Sequence, residues 1–195
     1  MIDKDIEYML LGKVNRRSDE KIRLMQLCEN KLKEFNNSGD SSILQNLFGS
    51  CGDVLKVRPP FYCDYGKFIE IGYDVYINTN CIILDACKVK IGDHVMIGPR
   101  VSIFSATHPI DPMIRTERWY ISKPVTIGNY VWIGGNTTIN PGITIGDKSI
   151  IGSGSVVTHD IPCNVIAAGN PCKIIREITK EDYNYWYNKC KEYKI

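Results

Sequence analysis

The stretch VTIGNYVWIGGNTTINPGITIGDKSIIGSGSVV, residues 125–157, places an aliphatic side chain at every sixth position: Ile127, Ile133, Ile139, Ile145, Ile151 and Val157. An amphipathic helix repeats near 3.6 residues and a half-exposed strand near 2. A period of six fits neither. It fits a unit of one short strand and one corner, three of which close a triangular coil. The aliphatic side chain then points into the prism and stacks on the coils above and below. Each such burial stabilises by roughly 1.5–3 kcal/mol, so the units hold only as an array.

Working upstream, the same spacing returns at Ile71, Ile77 and Ile83 and, after a two-residue slip, at Ile91, Ile97 and Ile103. Glycine or another small or polar residue follows most of these, as at Gly72, Gly92, Gly98, Gly128 and Gly134. Glycine suits a corner because it tolerates positive φ. Four residues after the aliphatic stands a small or β-branched residue, such as Val75, Val95, Thr137, Ser149 or Ser155, where the prism has little room.

The rhythm breaks once. Ala106 to Pro124, ATHPIDPMIRTERWYISKP, cannot keep the hexad and must leave the prism as a loop. Long loops inside compact folds are often functional. His108, one of three histidines in the chain, stands at the root of this loop. Histidine is the usual general base near neutral pH, and a rigid wall beside a shaped loop is a good place for one.

The flanks read differently. Ile22, Leu24, Met25, Leu27, Cys28, Leu32 and Phe35 fall at helical spacing, Asn36 to Asp40 is a break, and SSILQNLF begins a second helix capped by Ser41 or Ser42. This piece is expected to cover an open end of the prism. Tyr183, Trp186, Tyr187 and Cys190 suggest a packed C-terminal helix. The division expected is therefore a helical region over 1–58, a β-helix over 59–176 with a loop near 109–124, and a helical tail over 177–195. Trp132 is expected to pack in the wall.

The 24 basic and 22 acidic residues nearly balance, at +2. That is no footprint of a nucleic-acid binder. No apolar run approaches the roughly 20 residues of a membrane span. The N-terminus carries Asp3, Asp5 and Glu7 and no small-residue cleavage site, unlike a secretory signal. A cytoplasmic location is the expectation. Eight cysteines without a C-x-x-C pair favour reduced thiols over zinc ligands or a disulfide framework. His94 and His159 lie at different corners of the repeat, each in a turn-like context, so no metal is expected.

The motifs PPFYCDYG (59–66), INTNCIILDACKVKIGD (77–93), SATHPIDP (105–112), KPVTIGNYVWIGGNTTINPGITIGD (123–147) and AAGNPCKIIREI (167–178) resemble the maltose and galactoside O-acetyltransferase group of the hexapeptide-repeat acyltransferases. The resemblance implies a left-handed parallel β-helix, a homotrimer with its active site between subunits, and transfer of acetyl from acetyl-CoA to a sugar hydroxyl. It implies His108 as the base. It carries Asp64, Tyr76, Asn78 and Asp85 over as acceptor-side groups. It assigns Asn78, Gly135, Ser153, Thr158, His159, Lys173 and Arg176 to acetyl-CoA, the last two as phosphate contacts. Asp85 also has an ordinary role open to it, as a corner Asp bonding nearby backbone. Glu117, Asp111 or a backbone carbonyl could orient His108.

The chain departs from the group at Ala86, where galactoside enzymes have a second Asp, and at Asn15-Arg16, where relatives place a Tyr-Asp pair. The maltose-like reading is favoured over the galactoside one. The alternatives are the same fold acting on an antibiotic or a surface-polysaccharide precursor, or a non-catalytic scaffold.

Overall fold

The computed structural model describes residues 4–193. Residues 1–3, including Asp3, and residues 194–195 lie outside the described residues. Between them a parallel β-helix rises as three flat faces. The first face stacks strands Ser50–Cys51, Ile69–Ile71, Val89–Ile91, Val125–Ile127 and Thr144–Ile145. The second stacks Leu55–Val57, Val75–Ile77, Met96–Ile97, Trp132–Ile133, Ile150–Ile151 and Val165–Ala168. The third stacks Phe61–Cys63, Cys81–Leu84, Ser102–Phe104, Thr138–Ile139 and Val156–Val157.

The register puts the hexad aliphatics directly above one another. Ile71, Ile91, Ile127 and Ile145 form one column. Ile77, Ile97, Ile133 and Ile151 form a second, and Ile83, Ile103, Ile139 and Val157 a third. All twelve are buried, with the small inward residues Thr137, Ser149 and Ser155 beside them. Ile91 pairs Ile127 across the loop, so the chain leaves the prism and re-enters it in register.

Two expectations change. The β-helix begins by Ser50, inside the region read as helical, because the first coil lacks the aliphatic-glycine signature although Val57 and Phe61 face inward. The glycines that follow the aliphatics are also not the positive-φ residues. The left-handed corners are held by Asp74, His94, Tyr130 and Lys148 on one edge and by Asn80, Arg100 and Asn136 on the next. Glycine is needed instead for close approach: a Cβ on Gly128 would stand 2.3 Å from Asp147 Oδ1, and one on Gly98 would stand 2.6 Å from the Gly135 nitrogen.

Five helices complete the described residues: α1 (Lys4–Leu10), α2 (Asp19–Ser38), α3 (Ser41–Leu47), α4 (Pro112–Thr116) and α5 (Lys180–Tyr193). Cys28, Leu32 and Phe35 of α2 and Leu44 of α3 join the same core as the hexads, so these helices do cover the open first coil. Asn36 finishes the cover. Its side chain accepts from Phe61 N at 2.9 Å and donates to Phe61 O at 3.1 Å, standing in for a missing neighbouring strand. Asp40, rather than Ser41 or Ser42, caps α3, accepting from Ser42 N at 3.0 Å.

At the far end, Lys173–Glu177 turns back antiparallel to Val165–Ala168. Helix α5 follows, but no residue of it is buried, so it is not packed within this chain as expected. Trp132 also departs from expectation: it lies on the outward side of the second face, 49% exposed. An outward side chain is what strand alternation demands next to the inward Ile133.

Candidate active site

His108 is carried by a two-stranded neck. Ala106–Thr107 pairs antiparallel with Ile121–Ser122 as the loop leaves the corner between the third and first faces. Ser105 locks the root: its buried hydroxyl donates to Leu84 O at 2.7 Å and accepts from Cys87 N at 2.8 Å. That ties the loop to the two-residue slip one coil below. The ring of His108 is then oriented by Nδ1, which lies 2.9 Å from the carbonyl oxygen of Trp119. A carbonyl only accepts, so Nδ1 carries the hydrogen and Nε2 keeps its lone pair.

The two carboxylates weighed for this role are engaged elsewhere. Asp111 caps α4, accepting from Ile114 N at 3.0 Å. Glu117 accepts from the Trp119 indole at 2.9 Å, one step behind the carbonyl that holds the histidine.

A cleft of about 560 Å³ opens at this corner, lined by His108 and by Arg17, Asp64, Tyr65, Arg118 and Tyr120 over an apolar floor that includes Ala86 and Ala106. One wall comes from the N-terminal segment. Asn15 and Tyr120 exchange backbone hydrogen bonds at 3.0 and 2.9 Å, pinning that segment to the loop. Lys21, fully buried on α2, donates to Asn15 Oδ1 at 2.8 Å and Arg16 O at 3.0 Å. Asp64 is half-buried in the cleft wall. Burial pushes its carboxyl above the usual range, opposed by the charge of Arg17.

Gly135 sits at a different corner, between the second and third faces, and its N–H has no acceptor among the described residues. Asn78 and Ser153 occupy the equivalent corner in other coils, so the three form a column along one edge. The ring of His94 stacks on Tyr130 and bonds Asp74, while His159 bonds Thr158. Among the described residues no cluster of His, Cys, Asp or Glu is arranged to hold a metal.

Residues 124–159 match the bacterial transferase hexapeptide family of six repeats. The galactoside O-acetyltransferase of Escherichia coli (strain K12) is 46% identical over 168 residues, covering 83% of this chain and 81% of its own. The chain belongs to the hexapeptide-repeat acyltransferases. In this family a maltose O-acetyltransferase from Clostridium difficile 630 has the same fold, with a TM-score of 0.89 at 43% identity over 91% of this chain and 99% of that one. A galactoside acetyltransferase in complex with coenzyme A also gives 0.89, at 40% identity over 93% of this chain and 94% of that one.

In this acyltransferase the site residues expected from sequence fall into separate groups. His108 and Asp64 meet in one cleft. Tyr76, on the outward side of the second face, and the Asn78–Gly135–Ser153 edge are separated from His108 by the width of the third face. Thr158 and His159 lie on the same edge as His108, two coils higher.

One assignment needs correction. Asp85 is 0% exposed and cannot touch an acceptor. Its Oδ1 accepts from Asp64 N at 3.0 Å and Tyr65 N at 2.8 Å, and its Oδ2 from Phe68 N at 3.2 Å. It shapes the cleft wall from beneath. Arg176, half exposed at the surface, pairs bidentately with Asp182 at 2.7 and 2.8 Å. Lys173 remains exposed.

The residues that sequence reading missed are Arg17, Tyr65, Arg118, Tyr120 and Lys21. The off-pattern GKVNRRSDE segment was the one available signal, since it marks a place where acceptor contacts differ. Nothing in the sequence pairs that segment with a loop a hundred residues away.

Proposed function

We propose that the protein transfers acetyl from acetyl-CoA to a hydroxyl of a sugar, with His108 as general base. The observation that carries this is the hydrogen bond from His108 Nδ1 to Trp119 O inside the cleft. It leaves Nε2 as the one ring atom able to take a proton. The acceptor oxygen attacks the thioester carbonyl carbon as Nε2 takes its proton. The tetrahedral intermediate then collapses, the C–S bond breaks, and the CoA thiolate leaves and is protonated by the imidazolium. The Gly135 N–H is an unused donor of the kind a developing oxyanion needs.

A relative named galactoside O-acetyltransferase, and related acetyltransferases solved with coenzyme A or acetyl-coenzyme A, support the donor. Asp64, Tyr76 and Asn78 are read as acceptor-side groups, and Asn78, Gly135, Ser153, Thr158, His159, Lys173 and Arg176 as the donor track.

A homotrimer follows from the same reading. His108 and Gly135 lie on opposite edges of one face, so a shared site needs the edge of a neighbouring copy. The outward residues of the first face are polar, Glu70, Lys90, Thr126 and Thr144, whereas the second shows Met96 (54% exposed) and Trp132. An apolar face of this kind suits closed symmetric association. No helix among the described residues is long and apolar enough to cross a membrane. The eight free thiols suit the reducing cytosol.

The test is release of CoA thiol from acetyl-CoA across a panel of sugar acceptors, with wild type and His108→Ala in parallel. Acceptor-dependent thiol release that collapses in the variant is the expected result. No release with any hydroxyl acceptor, or equal release by the variant, overturns the reading.

A further inference from the structure

The cleft that holds His108 has an unusual electrostatic character for a site that takes a neutral sugar. Two guanidinium groups, Arg17 and Arg118, line it, against one side-chain carboxylate, Asp64. Neither guanidinium makes a hydrogen bond or an ion pair within 4 Å among the described residues. Arg23, Arg115 and Arg176 have partners, in Glu20, in the carbonyls of Pro109 and Ile110, and in Asp182, while Arg58 and Arg100, outside the cleft, share the lack of a side-chain partner among the described residues.

Both arginines are also held where they are. Arg17 directly follows the segment fixed by the Asn15–Tyr120 pairing and by the hydrogen bond from Lys21 to Arg16 O. Arg16 itself lies over the ring of Trp119, 5.2 Å from its centroid, and so does not compete for the cleft. Arg118 adopts φ +68°, the left-handed state that several long side chains also take at the prism corners, and its N–H donates to Arg115 O at 3.0 Å. It lines the cleft directly before Trp119, whose carbonyl orients His108.

We propose that the acceptor carries an anionic group, a carboxylate or a phosphate, which Arg17 and Arg118 hold while His108 activates a hydroxyl on the same molecule. Guanidinium groups fit both anions through paired N–H donors. The substrate class is thus an acidic or phosphorylated sugar. This rests on the O-acetyltransfer reading above and narrows it.

The test compares acetyl transfer to glucose, glucuronate, glucose 1-phosphate and glucose 6-phosphate by thiol release, with wild type, Arg17→Ala and Arg118→Gly. The wild type is expected to favour at least one anion over glucose in kcat/KM by about tenfold or more, the scale of one charge-assisted hydrogen bond. The glucuronate and phosphate arms say which anion. Each variant is expected to lower that preference about tenfold, through KM for the acceptor. Arg118→Gly suits its left-handed backbone, so loss there is not a folding effect, and a thermal melt checks this. A preference for glucose overturns the proposal and leaves O-acetyl transfer standing. An anion preference that survives both substitutions also overturns it. So does a rise in KM for acetyl-CoA in place of the acceptor, which would assign the arginines to the donor. No thiol release with any acceptor defeats both readings together.

Discussion

The Nδ1 of His108 lies 2.9 Å from the main-chain oxygen of Trp119, eleven residues along the same loop. The histidine is thus held by the loop's own backbone, not by a carboxylate. A carbonyl fixes the tautomer without adding a full negative charge beside the ring. Replacing His108 with Ala should lower acetyl transfer by roughly 10²–10⁴-fold, the range of general-base catalysis. Acetyl-CoA affinity, measured by calorimetry, should stay within a few-fold. Glu117→Gln should cost far less than His108→Ala, because Glu117 touches only the Trp119 indole. Comparable losses in the two variants would contradict this arrangement.

Asp85 couples the site to pH through stability. Burial raises its carboxyl from the ordinary 3.8 to about 6, although three backbone N–H donors pull the other way. Between those values the folded chain binds more protons than the unfolded one, so stability falls as pH rises through the window. The penalty is fully present above it and amounts to roughly 3 kcal/mol. Asp85→Asn should flatten this slope in thermal melts taken from pH 4 to pH 7. Asp85→Ala should destabilise at every pH, since each buried N–H left unpaired costs about 1–3 kcal/mol. A wild-type slope persisting in the Asn variant would assign it to another group.

Gly98 is a handle on the edge proposed to hold the donor. A Cβ there would come within 2.6 Å of the Gly135 nitrogen in the coil above. Gly98→Ala should therefore displace that N–H, raising KM for acetyl-CoA or lowering kcat about tenfold or more. Unaltered kinetics would mean that this N–H has no part in the reaction.

Lys21 gives the converse test. Its buried ammonium holds Asn15 and the Arg16 carbonyl, and with them the N-terminal wall of the cleft. Lys21→Met keeps the apolar volume but leaves those oxygens without this donor, at a cost of about 1–3 kcal/mol. Acceptor KM should rise while KM for acetyl-CoA holds, and hydrogen exchange should quicken at Tyr120. A change confined to acetyl-CoA would contradict this placement.

The prism was legible because its rule is local and repeated: an aliphatic every six residues determines which side chain stacks on which. The first coil was not, since Val57 and Phe61 face inward without that signature. His108 could be read as a candidate because it interrupts a rhythm. Its partner could not, because a main-chain oxygen has no residue type to search for. Asp85 was misplaced for a related reason. A carboxylate in an acceptor motif looks the same whether it faces a ligand or three amides beneath it. The wall from Arg17 to Tyr120 is a tertiary pairing, and two segments a hundred residues apart share no pattern that announces contact.

The Asn15–Tyr120 pairing has a consequence for how such a chain changes over time. Every hexad residue is bound to the coils on either side, so altering one obliges its neighbours to adjust. Arg17 and Arg118 stand on segments outside that stack, joined to each other's region by two main-chain hydrogen bonds that any side chains would allow. On the proposed reading, the clientele of the enzyme can therefore be rewritten one surface residue at a time, while the stacked array that carries the acyl-donor edge is inherited intact.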